Sequence, residues 1–334
     1  MTRKLASIRK INSIHPIDGA DNIEKITIDG WSCVAKKGQF IEGDPCVYFE
    51  IDSFLPIRPE FEFLRKSSYK KMDDKEGFRL KTIRLRGVLS QGLAIPIDIL
   101  KKQSVRLGDD VTDILGVIKF EPPIPAELQG SIKGLFPKFI RKTNQERVQN
   151  IWKDIKYNND SFEVTIKLDG TSCTYYLNNG EFGVCGRNWE LKPSESNTLW
   201  KLARHYKIEE LLRKYGRNIA LQGEVIGEGV NGNNEKIKGQ DFYLFDIWDI
   251  DNRCYLPPLS RRTIYSNHFN ELKHVNGLDD RCSLCEFKNI EEILSYAHGP
   301  SMNTKSREGI VFKSNLSHLS FKVISNEYLL KDKD

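Results

Sequence analysis

The stretch Glu163-Val-Thr-Ile-Lys167-Leu-Asp169-Gly170-Thr-Ser172 decides how this chain is read. Phe162, Val164 and Ile166 alternate with polar residues ahead of the lysine. That period of two marks a half-buried strand. Gly170 then permits a tight turn close to a ligand. Side chains two apart on a strand face the same side, so Lys167 and Asp169 can share one pocket. A free lysine has a pKa of about 10.4 and is almost wholly protonated at neutral pH. To act as a nucleophile it needs desolvation or a neighbouring cation. Lys-Leu-Asp-Gly alone also describes a surface turn, so the rest of the chain has to decide.

The chain has 334 residues, which points to two domains. Its formal charge of +5 permits a nucleic-acid partner without requiring one. Seven cysteines at irregular spacing suggest reduced thiols in an intracellular protein. Cys282-Ser-Leu-Cys285 is a single CxxC with no second pair nearby, short of the four ligands of a structural zinc. No apolar run reaches membrane-spanning length, and the first residues lack the apolar core of a signal peptide. A soluble, intracellular protein is expected, with no membrane partner.

Residues 1–112 read as short strands broken by turns, the pattern of a small β-barrel. His15-Pro-Ile-Asp-Gly-Ala-Asp-Asn-Ile resembles a turn of OB-fold tRNA-binding domains. Phe78–Arg86 reads as one strand carrying Arg79, Lys81, Arg84 and Arg86, and Lys36 and Lys37 end another. These six cations are the candidate phosphate-backbone contacts, though charge also protects an edge strand from pairing. Residues 113–142, with Pro122, Pro123, Pro125 and Pro137, read as a stiffened linker with some packing of its own. From 143 to 334 strands and helices mix in an α+β pattern around antiparallel sheets. A capped helical turn is expected over Asn144–Asn150, and one helix from about Asn197 to Tyr215.

Polar groups recur at strand ends through this second region. They are Arg187 in Gly-Arg-Asn, Glu224 in Gln-Gly-Glu, the run Phe245-Asp246, Glu308 in Arg-Glu-Gly, and Lys322 inside an apolar strand. Taken in order with Lys167, they resemble motifs I, Ia, III, IIIa, IV and V of the covalent nucleotidyltransferases, over about 143–325. The resemblance implies an ATP-grasp-like ligase domain with flanking helices. It implies that Lys167 attacks the α-phosphate of ATP and becomes lysyl-AMP, with Glu308 and Lys322 as catalytic partners. It further implies Asp169, Gly170 and Arg187 at the nucleotide, Phe245 stacked on adenine, and Lys322 on the α-phosphate. Glu224, Glu308 and Asp169 are implied around Mg²⁺ or Mn²⁺, and Glu146, Arg147 and Gln149 as pocket residues. Hard oxygen ligands suit such a metal. Many ligases carry a second motif V lysine where this chain has Ile324, which leaves Arg187, Lys313 or the other domain to supply that cation.

Only twelve residues follow Lys322, too few for a barrel, and the barrel-like region comes first. That order resembles the fifth family of ATP-dependent polynucleotide RNA ligases. It implies a monomer that seals 3′-OH/5′-phosphate nicks in duplexes with RNA on the 3′-OH side. A DNA ligase, a GTP-using capping enzyme, or a non-catalytic RNA-binding protein on a ligase fold stay open at this point.

Overall fold

The computed structural model describes residues 3–101, 103–121 and 130–331. The prolines at 122, 123 and 125 lie outside the described residues. The chain divides into two compact units, one over 1–124 joined by 329–334, the other over 125–328.

The first unit is built from short antiparallel strands: β1 (Ala6–Lys10), β2 (Ser13–Pro16), β3 (Ile23–Ile28), β4 (Trp31–Lys36), β5 (Pro45–Phe49), β6 (Ser53–Pro56), β7 (Tyr69–Met72), β8 (Lys75–Arg79), β9 (Ile83–Leu85), β10 (Val88–Ser90), β11 (Leu93–Pro96) and β12 (Ile118–Lys119). They form sheets ordered β1-β5-β11, β2-β3-β4 and β12-β6-β8-β7, and a hairpin β9-β10. Strict alternation in β3 puts Ile26 and Ile28 against Trp31 and Tyr48, and β5 buries Val47 and Phe49 against Phe61 and Phe78.

Two expectations change here. Phe78–Arg86 is not one strand: β8 ends at Arg79, and β9 belongs to a separate hairpin. Its turn takes Arg86 and Gly87, both at positive φ, as hairpin turns of two residues require. Arg84 and Arg86 are exposed, whereas Arg79 pairs with Asp52 at 3.3 Å and lies 4.5 Å above the Phe120 ring. The expected linker is packed chain wherever it is described. Val117 and Phe120 join the first unit's cores, and Phe136 and Ile140 join a core of the second, so the expected boundary after residue 112 lies inside the first unit.

The second unit holds two sheets. The larger contains β13 (Ile132–Leu135), β16 (Thr171–Asn178), β17 (Glu181–Cys185), β18 (Trp189–Leu191), β19 (Ile219–Gly227), β20 (Gln240–Asp249), β21 (Cys254–Tyr255) and β22 (Lys273–His274). The smaller is ordered β14 (Glu146–Arg147), β25 (Ser320–Ile324), β24 (Gly309–Ser314), β15 (Ser161–Lys167), β23 (Gly277–Ser283). Helices α1 (Val148–Ile155), α2 (Thr198–His205), α3 (Ile208–Tyr215), α4 (Pro258–Ile264), α5 (Ile290–Tyr296) and α6 (Asn326–Lys331) accompany them. The single helix expected over 197–215 is two, because Lys207 sits at φ 49° and breaks the ladder. The turn expected over 144–150 is a short parallel pairing of β14 with β25, and the helix begins only at Val148. Among the described residues no helix is long and apolar enough to cross a membrane.

Candidate active site

The Lys-Leu-Asp-Gly turn is the seam between the two sheets: β15 ends in the smaller and β16 begins in the larger. A Cβ on Gly170 would stand 2.3 Å from the Val225 carbonyl oxygen, so only glycine lets the turn lie against β19. Leu168 points inward and packs with Ile166, Ile226, Tyr243 and Val275. Lys167 and Asp169 therefore face a cleft of about 290 Å³. Gly170, Arg187, Glu224, Phe245, Glu308, Lys313 and Lys322 also line it.

Register explains the assembly. Lys167 pairs across with Gly309, which puts Glu308 beside it, and Nζ of Lys167 donates to Glu308 at 2.6 Å. Ser172 pairs with Glu224, bringing that carboxylate in from β19. Lys322 faces the cleft from β25, next to Val311 of β24. A Cβ on Gly309 would meet the Val323 carbonyl oxygen at 2.2 Å, so the strand that carries Glu308 also needs its glycine.

The electrostatics are dominated by crowded carboxylates. Burial pulls the Lys167 pKa down, but Glu308, Glu224 and Asp169 outweigh it and hold the amine above its ordinary value. Burial pushes Glu224 up to about 8, with Glu308 and Asp169 adding to it against Lys167 and Arg187. Asp169 is occupied: Oδ1 accepts from Asn231 at 3.1 Å, and Oδ2 accepts short bonds from Asn234 and the Tyr328 hydroxyl.

Beneath the cleft lies a buried quartet of charges. Arg261 of α4 is fully buried and bridges Glu163 of β15 to Asp246 of β20, 3.4 Å away. Asp246 accepts from Lys313 at 2.9 Å, and Lys313 also donates to the Phe245 carbonyl oxygen at 2.5 Å. The Lys313 amine lies 5.4 Å from the Phe245 ring centroid. Burial lowers the Lys313 pKa despite Asp246, and burial together with Arg261 lowers neighbouring His274 to about 4, so that imidazole is neutral.

A family model for an OB-fold domain matches residues 5–97, and one for RNA ligase matches 160–324. No curated protein matches. Among solved structures, Naegleria gruberi RNA ligase with PPi is 50% identical, with all of both chains covered and a TM-score of 0.86. The chain belongs to the RNA ligase family. The same Naegleria ligase as a lysine-to-methionine variant with AMP and Mn is also 50% identical, covering 99% of this chain and 100% of that one, with a TM-score of 0.87. A glutamate-to-alanine variant of it with ATP and Mn gives the same identity and coverage and a TM-score of 0.86.

Within this ligase the sequence-based site residues fall into two groups. Lys167, Asp169, Gly170, Arg187, Glu224, Phe245, Glu308 and Lys322 all line the cleft. Glu146, Arg147 and Gln149 do not; Thr143, Asn144 and Gln145 line it instead, because β14 carries the chain away along β25. The Glu146 carboxylate accepts from Asn150 at 2.9 Å, and Gln149 is buried. Asn231 is a cleft residue that sequence reasoning missed; its signal was the Gly- and Asn-rich run after β19. Ile324 is 3% exposed and belongs to the smaller sheet, so no cation is needed there for folding. Lys313 lines the cleft with its amine tied to Asp246 and Phe245, whereas Arg187 is exposed at the cleft wall.

Among the described residues, no group of three His, Cys, Asp or Glu is arranged to hold a metal ion unaided. The donor chemistry nonetheless fits a hard divalent cation: Glu308 and Glu224 are oxygen donors that face one cleft. Glu224 resists ionisation chiefly because it is buried, and next because Glu308 and Asp169 stand near it. Asp169 accepts hydrogen bonds at both oxygens, from Asn231, Asn234 and Tyr328. All seven cysteines are free.

Proposed function

We propose that this chain is an ATP-dependent RNA ligase that seals 3′-OH/5′-phosphate nicks in duplexes with RNA on the 3′-OH side, acting as a monomer. The observation that carries the reading is the Lys167 amine at a strand end, 2.6 Å from Glu308, in a cleft lined by Phe245, Arg187 and Lys322. Support also comes from the Naegleria ligase, whose solved variants include changes at three lysines, two glutamates and an aspartate, those at two of the lysines and at both glutamates carrying ATP or AMP with Mn. Those residue types surround this cleft too.

In the first step neutral Lys167 forms a nitrogen–phosphorus bond to the α-phosphate of ATP. The bond to the β-phosphate breaks, and pyrophosphate leaves. A 5′-phosphate oxygen then displaces Lys167 and becomes the adenylylated end. Finally the 3′-OH attacks that end, forming the phosphodiester and releasing AMP. Phosphoryl transfer of this kind depends on positioning and on charge at the phosphate oxygens. Lys322 and Arg187 supply fixed cations at the cleft wall, and Phe245 offers a ring for the adenine. Asn231, Asn234 and Tyr328 hold Asp169 in place at the turn. Glu308 and Glu224 would hold Mg²⁺ or Mn²⁺, which would add positive charge at the phosphates and favour the neutral amine.

The second unit is assigned the nucleotide chemistry, the first the grip on the duplex. Lys36, Lys37, Lys81, Arg84 and Arg86 are all exposed on the first unit. Incubation with α-labelled ATP and metal, then a denaturing gel, tests the reading: a labelled protein is expected with ATP and not with GTP. No label with either nucleotide would overturn it.

A further inference from the structure

Between β13 and β14 the chain runs from Phe136 to Gln145 without regular secondary structure, yet it is firmly held. Phe136 and Ile140 are buried in a core with Tyr176 and Trp248. Trp248 Nε1 donates to the Phe139 carbonyl at 2.9 Å. The Arg141 carbonyl accepts from Gln222 at 2.9 Å and from the Tyr255 hydroxyl at 3.0 Å. With its apolar side chains and carbonyls turned inward, the segment presents Lys138, Arg141 and Lys142 outward, all exposed. Among the described residues neither Lys138 nor Arg141 is in an ion pair. Lys142 reaches Asn188 at 3.1 Å, next to the cleft residue Arg187. The next three residues, Thr143, Asn144 and Gln145, are themselves cleft wall.

Three cations in five residues, on a backbone pinned by side chains of three strands, form a fixed positive edge leading into the cleft. Surface cations outside any ion pair, as Lys138 and Arg141 are, gain little from folding. They gain much against a polyanion, where each neutralised phosphate releases counterions. We propose that this segment is a phosphate-binding rim, in which Lys138 and Arg141 hold the backbone of the nucleic-acid strand whose end enters the cleft. The proposal rests on the ligase reading and adds a second contact surface, on the catalytic unit itself. Lys138 is five residues from Thr143, about 17 Å at full extension. Phosphates of one strand recur every ~3.4 Å along a duplex. The rim therefore serves at most the last five or so nucleotides before the reacting end, since the chain turns at 138–140.

The test measures binding of the full chain to a nicked duplex, without ATP, between about 50 and 200 mM salt. The double variant Lys138→Ala/Arg141→Ala should reduce the slope of log K against log salt by about two, roughly one per contact. The charge-keeping variant Lys138→Arg/Arg141→Lys should restore the slope. Protein–AMP formation from labelled ATP should stay within about twofold of wild type in both, since neither side chain lines the cleft. An unchanged slope in the alanine variant overturns the rim. So does a slope change that the charge-keeping variant fails to reverse, because the effect is then structural. Absence of the AMP adduct in the wild type would count against the ligase reading alone, leaving the slope comparison intact.

Discussion

Glu224 should give up a proton when the metal binds, and this can be read directly. Its carboxyl is pushed up to about 8 by burial and by Glu308 and Asp169. At pH 6 such a group is only about 1% ionised, and at pH 8 it is half ionised. A divalent cation taking the ionised form should bind about 50-fold more tightly at pH 8, or about 2.3 kcal/mol at 1.36 kcal/mol per tenfold. The same shift bears on stability. The folded chain holds this proton more tightly than the unfolded one, so Glu224 favours folding at acid pH. That contribution is lost as pH rises from the ordinary carboxylate value to about 8. Mn²⁺ titration of the nucleotide-free protein by calorimetry, in two buffers of different ionisation heat, gives both affinity and proton count. Near one proton released per metal is expected around pH 6, falling toward zero above pH 9. Glu224→Gln should bind more weakly and lose most of the pH dependence. Equal Mn²⁺ affinity at pH 6 and pH 8 in the wild type would refute the reasoning.

Further outcomes follow from the same geometry. Lys167→Ala should fold, form no protein–AMP adduct, and still seal a nick whose 5′ end is already adenylylated; a labelled adduct on the denaturing gel would exclude it as nucleophile. Glu308→Ala and Lys322→Ala should each slow adenylylation by about 10²–10³, and wild-type single-turnover rates would remove both from the proposed machinery. Gly309→Ala puts a methyl group 2.2 Å from the Val323 carbonyl oxygen, so it should cost about 1–3 kcal/mol, seen as a lower Tm; an unchanged Tm would mean the strands separate freely there. A chain beginning after residue 121 should form the adduct but seal nicks poorly, with a shallower salt dependence of binding; equal sealing would make the first unit dispensable.

The strand that ends at Lys167 was legible from Phe162, Val164 and Ile166 at every second position, but it is not half-buried: β15 lies between β24 and β23 and buries Glu163 and Thr165 on its other face as well. The cleft residues carried on strand ends were legible for the same reason: local pattern fixes which way they point. What sequence could not show depended on distant chain. Asp169 draws its donors from Asn231, Asn234 and Tyr328, which lie 62 to 159 residues away. Nothing local in Pro257-Pro258-Leu-Ser-Arg261 marks Arg261 as buried, yet it is fully buried and paired with two carboxylates from different strands. The shift from Glu146 to Gln145 at the cleft arises from the parallel pairing with Phe321 and Lys322, a long-range contact that no local signal announces. The broken strand at Arg79 and the broken helix at Lys207 turn on single backbone angles and a competing sheet.

The buried quartet of Glu163, Asp246, Arg261 and Lys313 constrains how this sequence can drift. Two acids and two bases balance out of reach of water, and removing one partner of a buried pair typically costs about 3–5 kcal/mol, much of a domain's whole stability. Single replacements at these four positions should be blocked, while paired losses of opposite charge stay open. The four sites therefore ought to change together across descendants of this ligase, as a linked set spread over nearly half the chain. Surface cations such as Lys214 are free to wander one at a time.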